Sequence, residues 1–233
     1  MRVESKKAVV ILSGGLDSTT CMGFAKEAGY ELYPITFDYG QRHRIELNHA
    51  RSVAQHYGVQ ERFRIISLGF LRDFGGSALT DDSIAVPRTG SEEAGQEGEI
   101  PVTYVPGRNL LFLSIATSFA ETVGAEAIYI GVNALDYSGY PDCRPEFIAK
   151  VEEVVALATK VGVEGKPIAI ETPLIMLTKA QIIREGIRMD VPYSLTTSCY
   201  NGEEEACGEC ESCRLRLKGF EQAGMKDPIT YKS

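Results

Sequence analysis

The 233-residue chain lacks any run of the ~18–20 consecutive apolar residues that a membrane-spanning helix requires, so no membrane partner is expected. It opens with no basic and then apolar leader, and its expected location is cytoplasmic. Positive charge is in deficit. Lys and Arg number 24 against 32 Asp and Glu, the net charge is −8 and the pI is near 5.1. A chain whose main ligand is RNA or DNA usually displays a basic face, so no nucleic-acid partner is expected, a local basic patch aside. Histidine is scarce as well. His43, His49 and His56 read as helix-face or strand-end residues rather than metal ligands. No internal repeat is present.

What remains is an ordinary globular composition, 44% hydrophobic, in a chain long enough for one sizeable α/β domain with a real core. Apolar β-rich runs at 7–12, 31–38, 62–67, 125–132 and 167–172 alternate with helical patterns at 18–28, 43–57, 108–123, 145–161 and 179–189. Such alternation predicts a doubly wound, mostly parallel sheet with helices on both faces. Ligands then sit at the carboxyl ends of the strands, near the switch point. Residues 75–102 break the pattern and carry a polar stretch from Ser91 to Glu99, which reads as a lid, a partner surface or a solvated insertion. The expected division is an α/β domain over 1–190 and a cysteine-bearing helical module over 191–233 packed on it.

The first strand runs straight into Ser13-Gly14-Gly15-Leu16-Asp17-Ser18 and then a helix. Two glycines permit a tight turn and a close backbone approach to an anion. The helix start supplies unpaired N–H groups and the positive end of its dipole, and the two serines add hydroxyl donors. This is a phosphate cradle. It is not a Walker A loop, because it has no lysine, and not a dinucleotide fingerprint, because its glycines are adjacent and no third follows.

Six cysteines are present, and four of them, Cys199, Cys207, Cys210 and Cys213, fall close together on a Gly- and Glu-rich stretch. In a cytosolic chain such a cluster points to metal rather than disulfides. Two overlapping C-x-x-C turns place three sulfurs around one ion, and Cys199 closes a tetrahedron, which describes structural Zn2+. Sulfur ligands alone do not choose between zinc and an iron–sulfur cluster, and redox disulfides are the third reading. Arg214, Arg216 and Lys218 stand just downstream, where they could offset the thiolate charge; a short amphipathic helix is expected over 214–222.

Ser13-Gly-Gly-Leu-Asp-Ser18 resembles the pyrophosphate loop of the ATP-pyrophosphatase superfamily. With it come Phe37-Asp-Tyr-Gly-Gln-Arg-His43, Val105-Pro-Gly-Arg-Asn109, the loop from Gly131 to Phe147 and the four-cysteine tail. Together they resemble the 7-cyano-7-deazaguanine synthase family over almost the whole chain. The resemblance implies an adenine nucleotide alpha hydrolase-like, Rossmann-like fold and an ATP-dependent ligase acting in queuosine biosynthesis. Such an enzyme converts 7-carboxy-7-deazaguanine and ammonia to the nitrile through an adenylated acid and an adenylated amide. It also suggests a homodimer, and the polyphosphate chemistry itself leads to an expectation of Mg2+ with ATP. No cysteine–histidine glutaminase unit is evident, so free ammonia is the expected nitrogen source.

Residue by residue, the expected ATP site is Leu12, Ser13, Gly14, Gly15, Leu16, Asp17, Ser18, Thr19, Thr20, Asp38 and Tyr39. Asp17 is expected to hold the loop or help bind Mg2+, with a plain helix-cap role as the alternative. Lys179 and Arg108 are expected to neutralise charge at the α-phosphorus, against the alternative of ordinary surface cations. The substrate pocket is expected from Asp136, Tyr137, Tyr140, Asp142 and Arg144. Asp142 is the favoured acceptor for the adjacent N–H and amino groups of a deazaguanine. Cys143 reads as pocket wall, since no histidine adjoins it to act as base. Two rivals stand beside this picture. A tRNA-modifying ligase would want a basic platform that the acidic chain lacks, and a nucleotide sensor would leave the loop from Gly131 to Phe147 without a purpose.

Overall fold

The computed structural model describes residues 5–41, 45–81, 83–87, 100–135, 139–201 and 205–232. Asp136, Tyr137, His43 and the polar stretch from Ser91 to Glu99 lie outside them. Five parallel strands form one sheet in the order β3-β2-β1-β4-β5. They are β1 (Lys7–Ile11), β2 (Glu31–Asp38), β3 (Arg64–Ser67), β4 (Ala127–Tyr129) and β5 (Ala169–Glu171). The central strand β1 is apolar on both faces, as a strand covered on both sides must be.

Its alternating side chains feed two cores. Val9 and Ile11 pack with α4 (Arg108–Val123) and α5 (Pro145–Ala158). Ala8 and Val10 pack with α1 (Leu16–Glu27), α2 (Ile45–His56), α7 (Lys179–Arg188) and Phe220 of α8 (Glu211–Ala223). The chain winds outward from β1 through α1 and α2, then returns across the opposite face through α4 to reach β4. The switch point therefore falls between β1 and β4, and their carboxyl ends open into a cleft. No helix among the described residues is long and apolar enough to cross a membrane.

Every expected strand and helix is present in the expected order, with four differences. The helix expected over 145–161 breaks at Thr159, which turns extended and accepts a hydrogen bond from the Gly162 N–H, starting a separate short α6 (Lys160–Val163). A one-turn α3 (Phe70–Phe74) follows β3, too short to leave a periodic signal. Strands β4 and β5 pair over three residues each, shorter than their apolar runs. Finally, α8 starts at Glu211, inside the cysteine motif, with Cys210 as its N-cap.

The segment after α3 is not all solvated loop. Ser77, Ala78, Leu79 and Thr80 are buried, and the Ala78 N–H donates to Val102 O at 2.8 Å, so its two ends meet.

Candidate active site

The cleft encloses about 290 Å3 above the carboxyl ends of β1, β2 and β4. Its floor at one end is the loop from Ser13 to Ser18. The Ser13 and Ser18 hydroxyls share a hydrogen bond of 2.9 Å, and the Ser13 N–H also donates to Ser18 Oγ at 3.1 Å. The helix α1 is capped by Gly15, which has no side chain to occupy the orphan N–H groups. Those groups stay available to an anion.

Gly14 has a different task from Gly15. It sits at φ +86°, and a Cβ there would come within 2.5 Å of Glu46 O and 2.7 Å of Ala50 N. Only glycine lets the loop lie flat on α2. Its carbonyl accepts the Thr197 N–H at 3.0 Å, so the segment leading to the cysteines clamps the loop from the other side.

Asp17 and Lys179 meet across the cleft. Lys179 Nζ donates to both Asp17 carboxylate oxygens at 2.8 Å, with side chains 14% and 29% exposed for Lys179 and Asp17. The capping box of Thr178 and Gln181 starts α7 so that Lys179 is its first residue. Asp17 is therefore an ion-pair partner, not a cap. Leu12 and Leu16 complete this end of the cleft.

Thr19 and Thr20 do not reach it. Both are wholly buried, with Thr19 Oγ1 donating to Gly15 O and Thr20 Oγ1 to Leu16 O, and Thr20 also bonded to the Tyr193 hydroxyl at 2.8 Å. One turn into a helix these side chains point at its own carbonyls and the core rather than at a ligand beyond its N-terminus. Asp38 is not among the residues that line the cleft, and its carboxylate accepts the Gly40 N–H at 3.3 Å.

The other end of the cleft is aromatic and charged. Arg108, first residue of α4, lies 5.8 Å from the centre of the Tyr39 ring and 5.9 Å from that of Tyr140, and donates to the Tyr39 hydroxyl at 3.3 Å. Burial works against its charge, but Tyr39, Tyr140 and Asp142 around it hold the guanidinium more firmly protonated than usual. Tyr140 donates to Thr103 Oγ1 at 2.8 Å, and Tyr200 stands beside it. Cys143 forms part of the wall, 3.3 Å from Asn109 Nδ2.

Two substrate expectations need correction. Asp142 is 5% exposed, and its carboxylate accepts the Asn109 N–H at 2.9 Å and Asn109 Nδ2 at 3.3 Å. It caps α4 from a distance, because Gly107 at the cap position has no side chain to do so. Arg144 is exposed and folds back on Pro141 O at 3.1 Å, outside the cleft.

Sequence reasoning missed Glu46, Thr197, Ser198, Glu211 and Ser212, all of which line the cleft. Burial pushes the Glu46 carboxyl up to about 8, with Arg108 pulling it down and Cys199 pushing it up. Its position between Ile45 and Leu47 at the head of a helix carried no signal. For Ser198 and Ser212 the adjacency to cysteines was a usable hint.

The four cysteine sulfurs lie within 4.8 Å of one another, with Cys207 and Cys213 3.9 Å apart. A tetrahedron of Zn–S bonds near 2.3 Å sets sulfurs about 3.8 Å apart, so the group is able to hold one metal ion such as zinc. Backbone N–H groups of Cys207, Glu209 and Cys210 point at Cys199 or Cys207 sulfurs, which favours thiolates. The expected charge offset is not built as anticipated. Arg214 and Lys218 are exposed, while Arg216 is 1% exposed and paired bidentately with Asp227 at 2.8 and 2.9 Å.

A doubly wound parallel sheet with a lysine-free glycine loop at its switch point defines a Rossmann-like α/β fold. A 4-thiouridine synthetase, solved with RNA and bound ATP, superposes with a TM-score of 0.50 at 18% identity, covering 94% of this chain and 50% of its own. That likeness concerns the fold alone. The sequence profile described as queuosine biosynthesis protein QueC matches residues 7–224. The 7-cyano-7-deazaguanine synthase of Oceanobacillus iheyensis is 58% identical over 98% of this chain and 100% of its own length. That of Saccharophagus degradans is 58% identical over 98% and 99%. The chain belongs to the queuosine biosynthesis protein QueC family.

Proposed function

We propose that the chain is an ATP-dependent carbon–nitrogen ligase that converts 7-carboxy-7-deazaguanine and ammonia to 7-cyano-7-deazaguanine. The observation that carries this reading is the cradle at the head of α1 with Asp17 and Lys179 closing over it, in a chain 58% identical to named synthases of that compound. In the first half, the substrate carboxylate attacks the α-phosphorus, pyrophosphate leaves and an acyl-adenylate forms. Ammonia adds to the acyl carbon, and AMP and a proton depart to give the amide. In the second half the amide oxygen attacks a second ATP, pyrophosphate leaves again, and loss of AMP and both amide N–H protons yields the nitrile.

Both halves need the same equipment, so one cleft can serve twice. Ser13, Gly15, Leu16 and Ser18 hold the β,γ-phosphates through N–H and hydroxyl donors. Lys179 balances charge at the α-phosphorus, and Arg108 faces the substrate carboxylate or its developing negative oxygen. Mg2+, carried in with ATP, would be held by Asp17 and the phosphates and would supply further charge neutralisation there. Zinc on the four cysteines would supply structure alone, keeping 191–233 as a wall of the cleft formed by 1–190.

Incubation with Mg-ATP, ammonium and 7-carboxy-7-deazaguanine tests this, with products read by mass. The expected result is nitrile plus AMP. Absence of AMP release sinks the adenylation, and an amide that never proceeds to nitrile sinks the second half.

A further inference from the structure

With Asp142 spent on a helix cap, the acceptor for the heterocycle must come from elsewhere. Among the described residues, three carboxylates line the cleft: Asp17, Glu46 and Glu211. Asp17 is engaged by both of its oxygens with Lys179. Glu211 opens α8 beside Cys210, on the metal-binding turn. Glu46 is different. Among the described residues no hydrogen bond or ion pair engages its carboxylate, although it lies within the electrostatic reach of Arg108 and in the desolvated part of the cleft.

Its backbone is held rigidly. Glu46 lies in the first turn of α2, and the Gly14 backbone rests on its carbonyl, so Glu46 and the phosphate loop move as one piece. The surfaces lining the cleft with it are flat: Tyr39, Tyr140, Tyr200 and Phe112, the last stacked on Phe37 at 4.1 Å. A planar bicycle fits between such faces. A 2-amino-4-oxo ring presents two parallel N–H donors along one edge, and donors facing the Glu46 carboxyl favour its ionised form over the protonated form that burial favours in the empty cleft. Once ionised, it offers two acceptor oxygens at matching spacing and no donor.

We propose that Glu46 reads this two-donor edge and so selects 2-amino-4-oxo heterocycles over analogues without the exocyclic amine. The inference rests on the reaction proposed above and adds the residue that determines its specificity. Arg108, which lines the same cleft, then meets the carboxylate on the five-membered ring. Opposite ends of one substrate are thus matched by opposite charges, which fixes its orientation toward the phosphates.

Titration calorimetry tests this on the full-length protein with its metal. The ligands are 7-carboxy-7-deazaguanine, the same compound lacking the 2-amino group, and a non-hydrolysable ATP analogue. Wild-type protein is expected to prefer the amino compound by at least about tenfold, in line with a charge-assisted hydrogen bond of about 1.5–3 kcal/mol. Glu46→Gln should weaken the amino compound by roughly 10–100-fold and erase the preference, while the ATP analogue stays within about twofold. Glu46→Asp, which keeps the charge on a shorter arm, should keep a reduced preference and guards against misfolding of the Gln variant. Preference intact in both variants overturns the inference and leaves the reaction standing. Loss of preference in Glu211→Gln, with its survival in Glu46→Gln, also overturns it. A wild-type protein that binds neither heterocycle overturns the inference and the proposed substrate together.

Discussion

Gly219→Ala is a substitution whose sign helix propensity and packing predict oppositely. Gly219 lies in the middle of α8, and replacing a helical glycine by alanine alone stabilises by about 1 kcal/mol. Here the new Cβ would stand 2.4 Å from Lys179 Cγ, 2.9 Å from Ile183 Cδ1 and 3.0 Å from Lys179 Cβ. Carbon atoms prefer about 3.5–4.0 Å, so the lysine stem or the whole of α8 must shift by about 1 Å. Ile183 Cδ1 is a side-chain tip and can give, but Lys179 Cβ and Cγ are at the root of their side chain and move only with χ1 or with the helix. Overpacking of this kind costs about 1–3 kcal/mol, which exceeds or matches the propensity gain. The net expectation is a loss of about 0–2 kcal/mol and a Tm lower by up to about 8 °C for a chain of this size.

The functional effect should be larger. Moving the stem draws Lys179 Nζ off its 2.8 Å contacts with Asp17 and off the phosphate path. Loss of a charge-assisted contact of about 1.5–3 kcal/mol weakens a non-hydrolysable ATP analogue by roughly 10–100-fold. Differential scanning fluorimetry and calorimetric titration measure the two quantities. In a Lys179→Ala background most of the obstruction is gone, and the same Gly219→Ala change should cost less Tm. A variant with raised Tm and undiminished ATP affinity would refute the claim that α8 positions Lys179.

Three further outcomes follow from the same structure. Asp142→Ala should lower stability by about 2 kcal/mol, or about 4–8 °C in Tm, because it leaves a buried helix N–H unpaired, and Asp142→Asn should recover much of that loss; normal stability with abolished heterocycle binding would restore Asp142 to the substrate site. Stripping metal from the cysteines with a chelator should lower Tm and weaken ATP-analogue binding together, since Thr197, two residues before Cys199, bonds Gly14 of the phosphate loop; nucleotide affinity untouched by metal loss would separate the two sites. The Tyr57 hydroxyl is a buried polar atom without a partner among the described residues, so Tyr57→Phe should leave Tm unchanged or raise it by a few degrees; a fall of several degrees would mean that the hydroxyl has a partner after all.

Local chemistry was enough to read much of this protein from its residues in order. The strand ending at Ile11, the glycine turn and the helix that follows are neighbours in sequence, so this strand–turn–helix needs no distant contact to be recognised. The cysteine group is equally local, because ligands within one turn-rich stretch reach one ion whatever the rest of the chain does. Strand and helix alternation carried the sheet and its switch point for the same reason: period and length are properties of short segments.

Tertiary structure decided which side chains face the cleft. Asp142 sits in the loop from Gly131 to Phe147 expected to hold the substrate, yet the uncapped start of α4 lies 33 residues earlier and claims its carboxylate. Thr19 and Thr20 follow the cradle in sequence but point into the core one turn later. Lys179 meets Asp17 across 162 residues, and the packing of α8 behind it leaves room only for glycine. Glu46 gave no sign in the sequence, because its importance is a matter of what fails to pair with it. A motif fixes backbone shape over a few residues. Competition among distant partners for each buried carboxylate is settled only when the chain has folded.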